Sequence, residues 1–235
     1  MWDNFRKSAI EIDETFIQQV ANPLAREARF NSADPAETFR SVNEDLRLLN
    51  EITIRESLAE SGQSRPLWKG AFKQLAGSKV TSRFAEDRSY VLSGEPISRA
   101  RHYGFDLASV ARAPVTATAH GVVAFAGPLG IYGGCVIIDH GLGVASLYGH
   151  LSEIQVEKGE SVEVGQTLGR SGSTGLAGGD HLHFAILVGL WFAYVAFSTV
   201  SAGGRKEGPA LRQVCGPAAL SGALPCEQIP ICAKQ

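Results

Sequence analysis

A chain of 235 residues, 44% hydrophobic and 20% charged, is long enough for one sizeable core with something smaller beside it. Its net charge of −2 gives no electrostatic footprint for nucleic acid or for an anionic membrane surface. Three of the four cysteines, Cys215, Cys226 and Cys232, lie in the last stretch and only Cys135 in the body, which excludes a disulfide framework, and there is no C-x-x-C zinc motif.

The first residues, Met1-Trp2-Asp3-Asn4-Phe5, lack a basic segment followed by an apolar run and do not read as a secretory signal. Phe5, Ile10, Ile12, Phe16, Ile17 and Val20, set among charges, predict a helix that ends at Asn22-Pro23. A second helix is better marked: Asp34 as cap, Pro35 in the first turn, and Glu37 in the capping-box position. Phe39, Val42, Leu46, Leu49 and Ile52 then recur at helical spacing, and Ser61-Gly62-Gln63 ends it. Residues 1–75 are thus expected to form a helical N-terminal arm or linker with no catalytic side chain.

From about Ser78 the period changes to two. Strands are expected over 79–84, 90–92, 103–107, 114–125, 135–139, 144–148 and 154–156, separated by Gly-rich turns such as Ser93-Gly94 and His140-Gly141-Leu142-Gly143. Strands at this density point to a mainly β fold with an antiparallel barrel or sandwich over 76–190, not a βαβ fold. Within it, Asp180 to Val188 reads as a strand with His181, His183, Ala185 and Leu187 on one face and Leu182, Phe184, Ile186 and Val188 on the other. Phe184 to Ala202 carries no charge and has the length of a membrane-spanning helix, a competing expectation for that segment. Residues 191–235 break the pattern and read as a divergent tail, disordered or foreign to the fold, as a frame-shifted or spliced-on terminus would be.

The chemistry lies in six histidines: His102, His120, His140, His150, His181 and His183. In a straight strand His102 and Asp106 would lie about 13 Å apart; a bend at Gly104 brings them together. Imidazole and carboxylate are both zinc ligands, and one ring of the H-x-H pair makes a third, leaving a fourth corner for water. No H-E-x-x-H supplies a glutamate base, so two non-ligating histidines are left for the proton and oxyanion work. His120 and His140 read as structural, Cys135 as inert core, and Tyr148 as either packing or a wall of the groove.

Three motifs stand together in one order: His102-x-x-x-Asp106, Leu147-Tyr148-Gly149-His150-Leu151-Ser152, and His181-Leu182-His183. With the connecting segments Val136 to Gly141 and Val162 to Gly169, the chain from Lys79 to Val188 resembles the LytM/lysostaphin-type zinc metallopeptidases, with their duplicated hybrid motif fold. The resemblance implies zinc on His102, Asp106 and His183, with His150 and His181 as catalytic histidines flanking it, their separate roles left open. It implies hydrolysis of peptide cross-links in bacterial peptidoglycan, a cell-envelope location, and a leader or anchor upstream of residue 1. Relatives finish the His-bearing strand with a short strand and a Pro-containing segment, which Gly189 onward does not follow. The alternative from another class is a non-catalytic envelope module that binds peptidoglycan or activates a separate hydrolase.

Overall fold

The computed structural model describes residues 5–30, 32–73, 75–189 and 191–193. Residues Lys7–Ile12 (β1) form a strand where a helix was expected. Ser8, Ile10 and Ile12 are half-buried and alternate with exposed Lys7, Ala9 and Glu11, a period of two that the helical hydrophobics after it obscure. β1 lies parallel to β3 (Glu86–Leu92), from Lys7 opposite Asp87 to Ile12 opposite Leu92. Asp13 then starts the helix, its Oδ1 accepting the Phe16 N–H at 2.7 Å.

That helix runs past Asn22-Pro23: α1 (Glu14–Phe16), a π turn over Ile17–Ala21, and α2 (Asn22–Glu27). The Asn22 N–H reaches back to the Ile17 carbonyl, so Pro23 follows a wider turn where the regular pairing it cannot join is already broken. The second helix comprises α3 (Pro35–Arg40), a π turn over Ser41–Leu46 and α4 (Arg47–Ser61), closed by Gly62 in the left-handed conformation at φ +60. Asp34 caps it through the Ala36 N–H at 3.0 Å, while Glu37 accepts from the Ser32 hydroxyl and not from the Asp34 amide. Phe39, Val42 and Leu46 are buried, but Leu49 and Ile52 are exposed, at 49% and 42%. The π turn rotates the helix, so that Asn50, Ile54 and Leu58 face inward instead.

These helices lie on the β sheet. Ile17, Phe39, Val42, Ile54 and Leu58 share one core with Tyr90, Tyr132, Ile137, Leu147, Ala185 and Leu187. Asn43, fully buried, donates to Ser98 Oγ at 2.9 Å, and Asn50 Oδ1 accepts the Ile131 N–H at 2.9 Å. Each large apolar side chain so buried contributes about 1.5–3 kcal/mol, enough to hold the helices against the sheet and not in solvent.

The remaining strands are β2 (Lys79–Ser82), β4 (Glu95–His102), β5 (Phe105–Ala108), β6 (Pro114–Thr116), β7 (Gly121–Pro128), β8 (Gly134–Gly141), β9 (Val144–Leu151), β10 (Glu153–Ile154), β11 (Ser161–Val162), β12 (Thr167–Arg170), β13 (Leu182–Val188) and β14 (Trp191–Ala193). The main sheet runs β11-β7-β8-β9-β13-β5-β2, antiparallel throughout, with β14 also on β13. Among the described residues its path has two ends and does not close into a barrel. β1, β3 and β4 form a second sheet. The β3–β4 hairpin turns at Ser93 and Gly94, both at positive φ, as a two-residue hairpin loop requires.

The two faces of β13 separate as their alternation requires. Leu182, Phe184 and Ile186 pack with Tyr148, Val136 and Ile138, while Ala185 and Leu187 pack under the N-terminal helices. The tail expected over 191–235 opens instead with a short strand, β14, antiparallel to β13, as the strand-end pairing of Ile186 to Val188 allows; the rest of it, and a helix through Ala202, fall on 194–235, outside the described residues. Phe184 to Val188 is strand, and no helix among the described residues is long and apolar enough to cross a membrane.

Candidate metal centre

Three elements deliver one cluster. His102 is the last residue of β4 and Asp106 the second of β5, so the chain bends between them at Tyr103-Gly104. β13 pairs with β5 so that His183 stands opposite Asp106. Gly104 is required at the bend: a Cβ there would sit 2.6 Å from His183 Cε1. The loop before β13 is pinned by Asp180, which accepts from Ser171 Oγ at 2.6 Å and from the Arg112 N–H at 2.9 Å.

His102 Nε2 lies 3.0 Å from Asp106 Oδ1 and 3.0 Å from His183 Nδ1, and His183 Nδ1 lies 3.1 Å from the same oxygen. His102 Nδ1–H donates to the Arg83 carbonyl at 3.0 Å, so a neutral ring presents a bare Nε2 to the cluster. Three lone-pair atoms facing one another at this spacing call for a shared proton or a cation. A tetrahedral ion with bonds of ~2.0–2.2 Å has ligands roughly 3.3 Å apart, close to this triangle. All three residues are buried, and they form the candidate metal-ion group among the described residues.

His150 and His181 flank the triangle, their rings 4.6 Å apart. Each anchors Nδ1–H on a backbone carbonyl, His150 on Thr174 O and His181 on Gly179 O, both at 2.8 Å. In the neutral rings the Nε2 atoms therefore carry lone pairs, and that of His181 is 3.6 Å from Asp106 Oδ1. His150 sits at φ +63, an uncommon conformation for a non-glycine residue, at the end of β9.

Burial governs the electrostatics. Desolvation, reinforced by His181 and His183, pushes His150 down to about 3. Desolvation likewise takes His183 to about 4, against the raising effect of Asp106. For Asp106 burial alone would raise the carboxyl, but His102 and His183 together hold it well below the carboxylate range. Arg88 on β3 occupies the other carboxylate oxygen, Nη2 to Oδ2 at 2.7 Å, and Glu86 in turn pairs with Arg88 and Arg6 at 3.4 Å each. His183 Nε2 is the exception to this order, buried without a hydrogen-bond partner.

A cavity of about 680 Å³ opens over the cluster, lined by these histidines and Asp106, by Arg88 and Tyr132, and by Ile10, Phe16 and Arg47 of the N-terminal arm. Sequence reasoning did not single out Arg88, Tyr132 or Arg47. For Arg88 a signal exists: Glu86, Arg88 and Tyr90 share one face of β3. Tyr148 is no groove wall; it is buried, its hydroxyl 2.9 Å from Thr118 Oγ1 and accepting from Ser146 Oγ at 3.0 Å.

Residues 100–191 match Peptidase family M23. Over 83 residues the chain is 45% identical to the DD-carboxypeptidase/endopeptidase Mpg of Neisseria meningitidis serogroup B, covering 35% of this chain and 19% of that protein. Over 112 residues it is 40% identical to the Peptidoglycan DD-endopeptidase ShyA of Vibrio cholerae, covering 47% of this chain and 25% of that protein. A solved zinc containing peptidase from Vibrio cholerae aligns at 30% identity with a TM-score of 0.46, over 57% of this chain and 43% of that one. The chain thus spans a quarter or less of the length of these curated relatives. His102, Asp106, His150, His181 and His183 all fall inside the M23 match; Arg47 and Arg88 lie outside it.

Proposed function

We propose that the chain is a zinc-dependent endopeptidase that hydrolyses peptide cross-links of bacterial peptidoglycan, acting in the cell envelope. The observation that carries this reading is the convergence of His102 Nε2, Asp106 Oδ1 and His183 Nδ1 at 3.0–3.1 Å, with two further imidazoles anchored beside them. Two nitrogens and one oxygen suit zinc, and three protein ligands leave a position for solvent or substrate. Zinc, when bound, supplies Lewis acidity that lowers the pKa of water and polarises a carbonyl. The M23 match and the endopeptidase names of the relatives support the same reaction class.

The chain's own residues divide the remaining work by position. Arg88 holds Asp106 Oδ2, which leaves Oδ1 as the oxygen presented to the ion. His150, deeply buried and kept neutral, accepts a hydrogen bond at Nε2 and orients the attacking water. His181, at the mouth of the site with 18% of its side chain exposed, faces the substrate carbonyl and steadies the developing oxyanion. The N-terminal arm, residues 1–75, forms one wall of the groove, and residues 76–190 form the peptidase domain.

Incubating purified peptidoglycan with the full chain, with and without a chelator, and weighing the fragments tests the reading. Cross-linked muropeptides should fall to monomers only where metal is available. Intact cross-links in the metal-replete sample would support the non-catalytic module instead.

A further inference from the structure

The wall that the arm contributes to the cavity carries a cation, Arg47, that makes no ion pair within 4 Å among the described residues. Arg47, at the start of α4, lines the same cavity as the five site residues. Its Nε donates to the Asn43 carbonyl at 2.8 Å and its Nη2 to Asn43 Oδ1 at 2.7 Å. Asn43 is fully buried and fixed in turn, its amide donating to Ser98 Oγ at 2.9 Å and to the Arg99 carbonyl at 3.4 Å. The guanidinium is therefore held along one edge by a rigid side chain. Three of its five N–H groups remain for another acceptor.

Most of the nearby acids are engaged elsewhere. Glu51, one turn on, feels the charge of both Arg55 and Arg47 but makes its ion pair with Arg55, at 3.6 Å. Asp13 caps α1, and Asp106 belongs to the cluster and to Arg88. Glu11 is an exposed residue of β1 at the cavity rim. The cavity's other arginine, Arg88, is paired with both Glu86 and Asp106. Arg47 and Tyr132 line the same cavity, and the Tyr132 ring lies 5.6 Å from that of His183. A preorganised, half-buried guanidinium in the same cavity as the candidate ligand histidines has the properties of a carboxylate receptor.

We propose that Arg47 receives a carboxylate of the peptide substrate and so sets which peptides the site accepts. The proposal rests on the peptidase reading for the identity of the ligand, a peptide acid. The carboxylate is either the free C-terminus or one carried within the stem peptide, and both offer the same paired oxygens. Binding at Arg47 anchors the peptide away from the reacting carbonyl and leaves the histidines to act on it.

Isothermal titration of the full chain with three synthetic stem peptides tests this: one with all carboxylates free, one amidated at the C-terminus, and one amidated internally. The wild type should bind the free peptide at least about ten-fold more tightly than one of the amides, as expected for losing a charge-assisted hydrogen bond; the amide that binds poorly identifies the carboxylate. In Arg47→Gln that preference should shrink below about two-fold, with Arg47→Lys recovering part of it and metal content unchanged in both. Equal affinity of the wild type for all three peptides, absence of binding to any of them, or a preference that survives in Arg47→Gln, overturns the proposal. Discrimination in binding without cleavage of any peptide would sink the endopeptidase reading and leave the carboxylate receptor standing.

Discussion

Two histidine networks, one centred on β8 and the other gathered from β4, β5, β9 and β13, behave in opposite ways. His140, on β8, is fully buried; its Nδ1–H donates to the His120 carbonyl and its Nε2 pairs with Ser146 Oγ, both at 2.7 Å. Ser146 passes on to Tyr148, and Tyr148 to Thr118, so every polar atom of that chain has a protein partner. His102, His150 and His181 satisfy one nitrogen each on a backbone carbonyl and turn the other toward a common centre. A closed network specifies packing; lone pairs left converging describe a place for something the chain does not itself supply. Burial is common to both, so burial alone does not mark a functional histidine. What distinguishes them is where the second nitrogen points.

The comparison breaks most sharply at His183. His183→Ala removes one of the three proposed ligands, and metal analysis should find no stoichiometric zinc and a loss of turnover of about 10³-fold or more. His150→Ala should keep its zinc and lose about 10²–10⁴-fold in kcat, as removal of a positioned acid–base group does; loss of metal in that variant would make His150 a ligand and dissolve the distinction drawn between ligands and flanking rings. Arg88→Met frees Asp106 Oδ2 and should weaken zinc binding by about 10–100-fold in chelator competition, the usual cost of losing a group that orients a ligand.

The smallest effect at the site, and the sharpest contrast, is His140→Gln, which should leave zinc content and turnover in place. Its signature is in stability. Desolvation lowers His140 in the folded protein from 6.5 to about 4, against the raising effects of His120 and Asp139. The unfolded chain therefore takes up a proton first as pH falls. Stability is complete above pH 6.5, declines between 6.5 and about 4, and levels off below, a change of about 3 kcal/mol from this residue. Urea titrations across that window should show a shallower decline in His140→Gln than in the wild type. Parallel slopes would mean that His140 does not titrate as its surroundings require.

Much of the site was legible because its elements carry strong local signals. The alternation through His181 to Val188 needs only a strand, and the two buried faces of β13 follow it. The bend at Gly104 was forced by the reach between His102 and Asp106, and the structure adds that His183 occupies the space a side chain would need. What the sequence hid is mostly phase and partnership. A six-residue strand beside a helix, β1 before α1, blends two periods in one window. A π turn over Ser41–Leu46 shifts the buried face by a residue, so the stripe to Leu49 and Ile52 pointed outward. β4 escaped because Glu95 to His102 is rich in charge and contains Pro96, and because the extra residue Ile97, opposite Tyr90 and Val91 of β3, breaks its alternation. Arg88 and Arg47 matter only through contacts made across the fold, with Asp106 eighteen positions on and with the cavity wall.

The most direct test of the account is a crystal structure of the zinc-loaded full chain with anomalous data collected at the zinc edge. A single strong peak should lie about 2.0–2.2 Å from His102 Nε2, Asp106 Oδ1 and His183 Nδ1, with the Nε2 atoms of His150 and His181 outside bonding distance. No peak at that triangle, or a peak held by His150 and His181 instead, would contradict it.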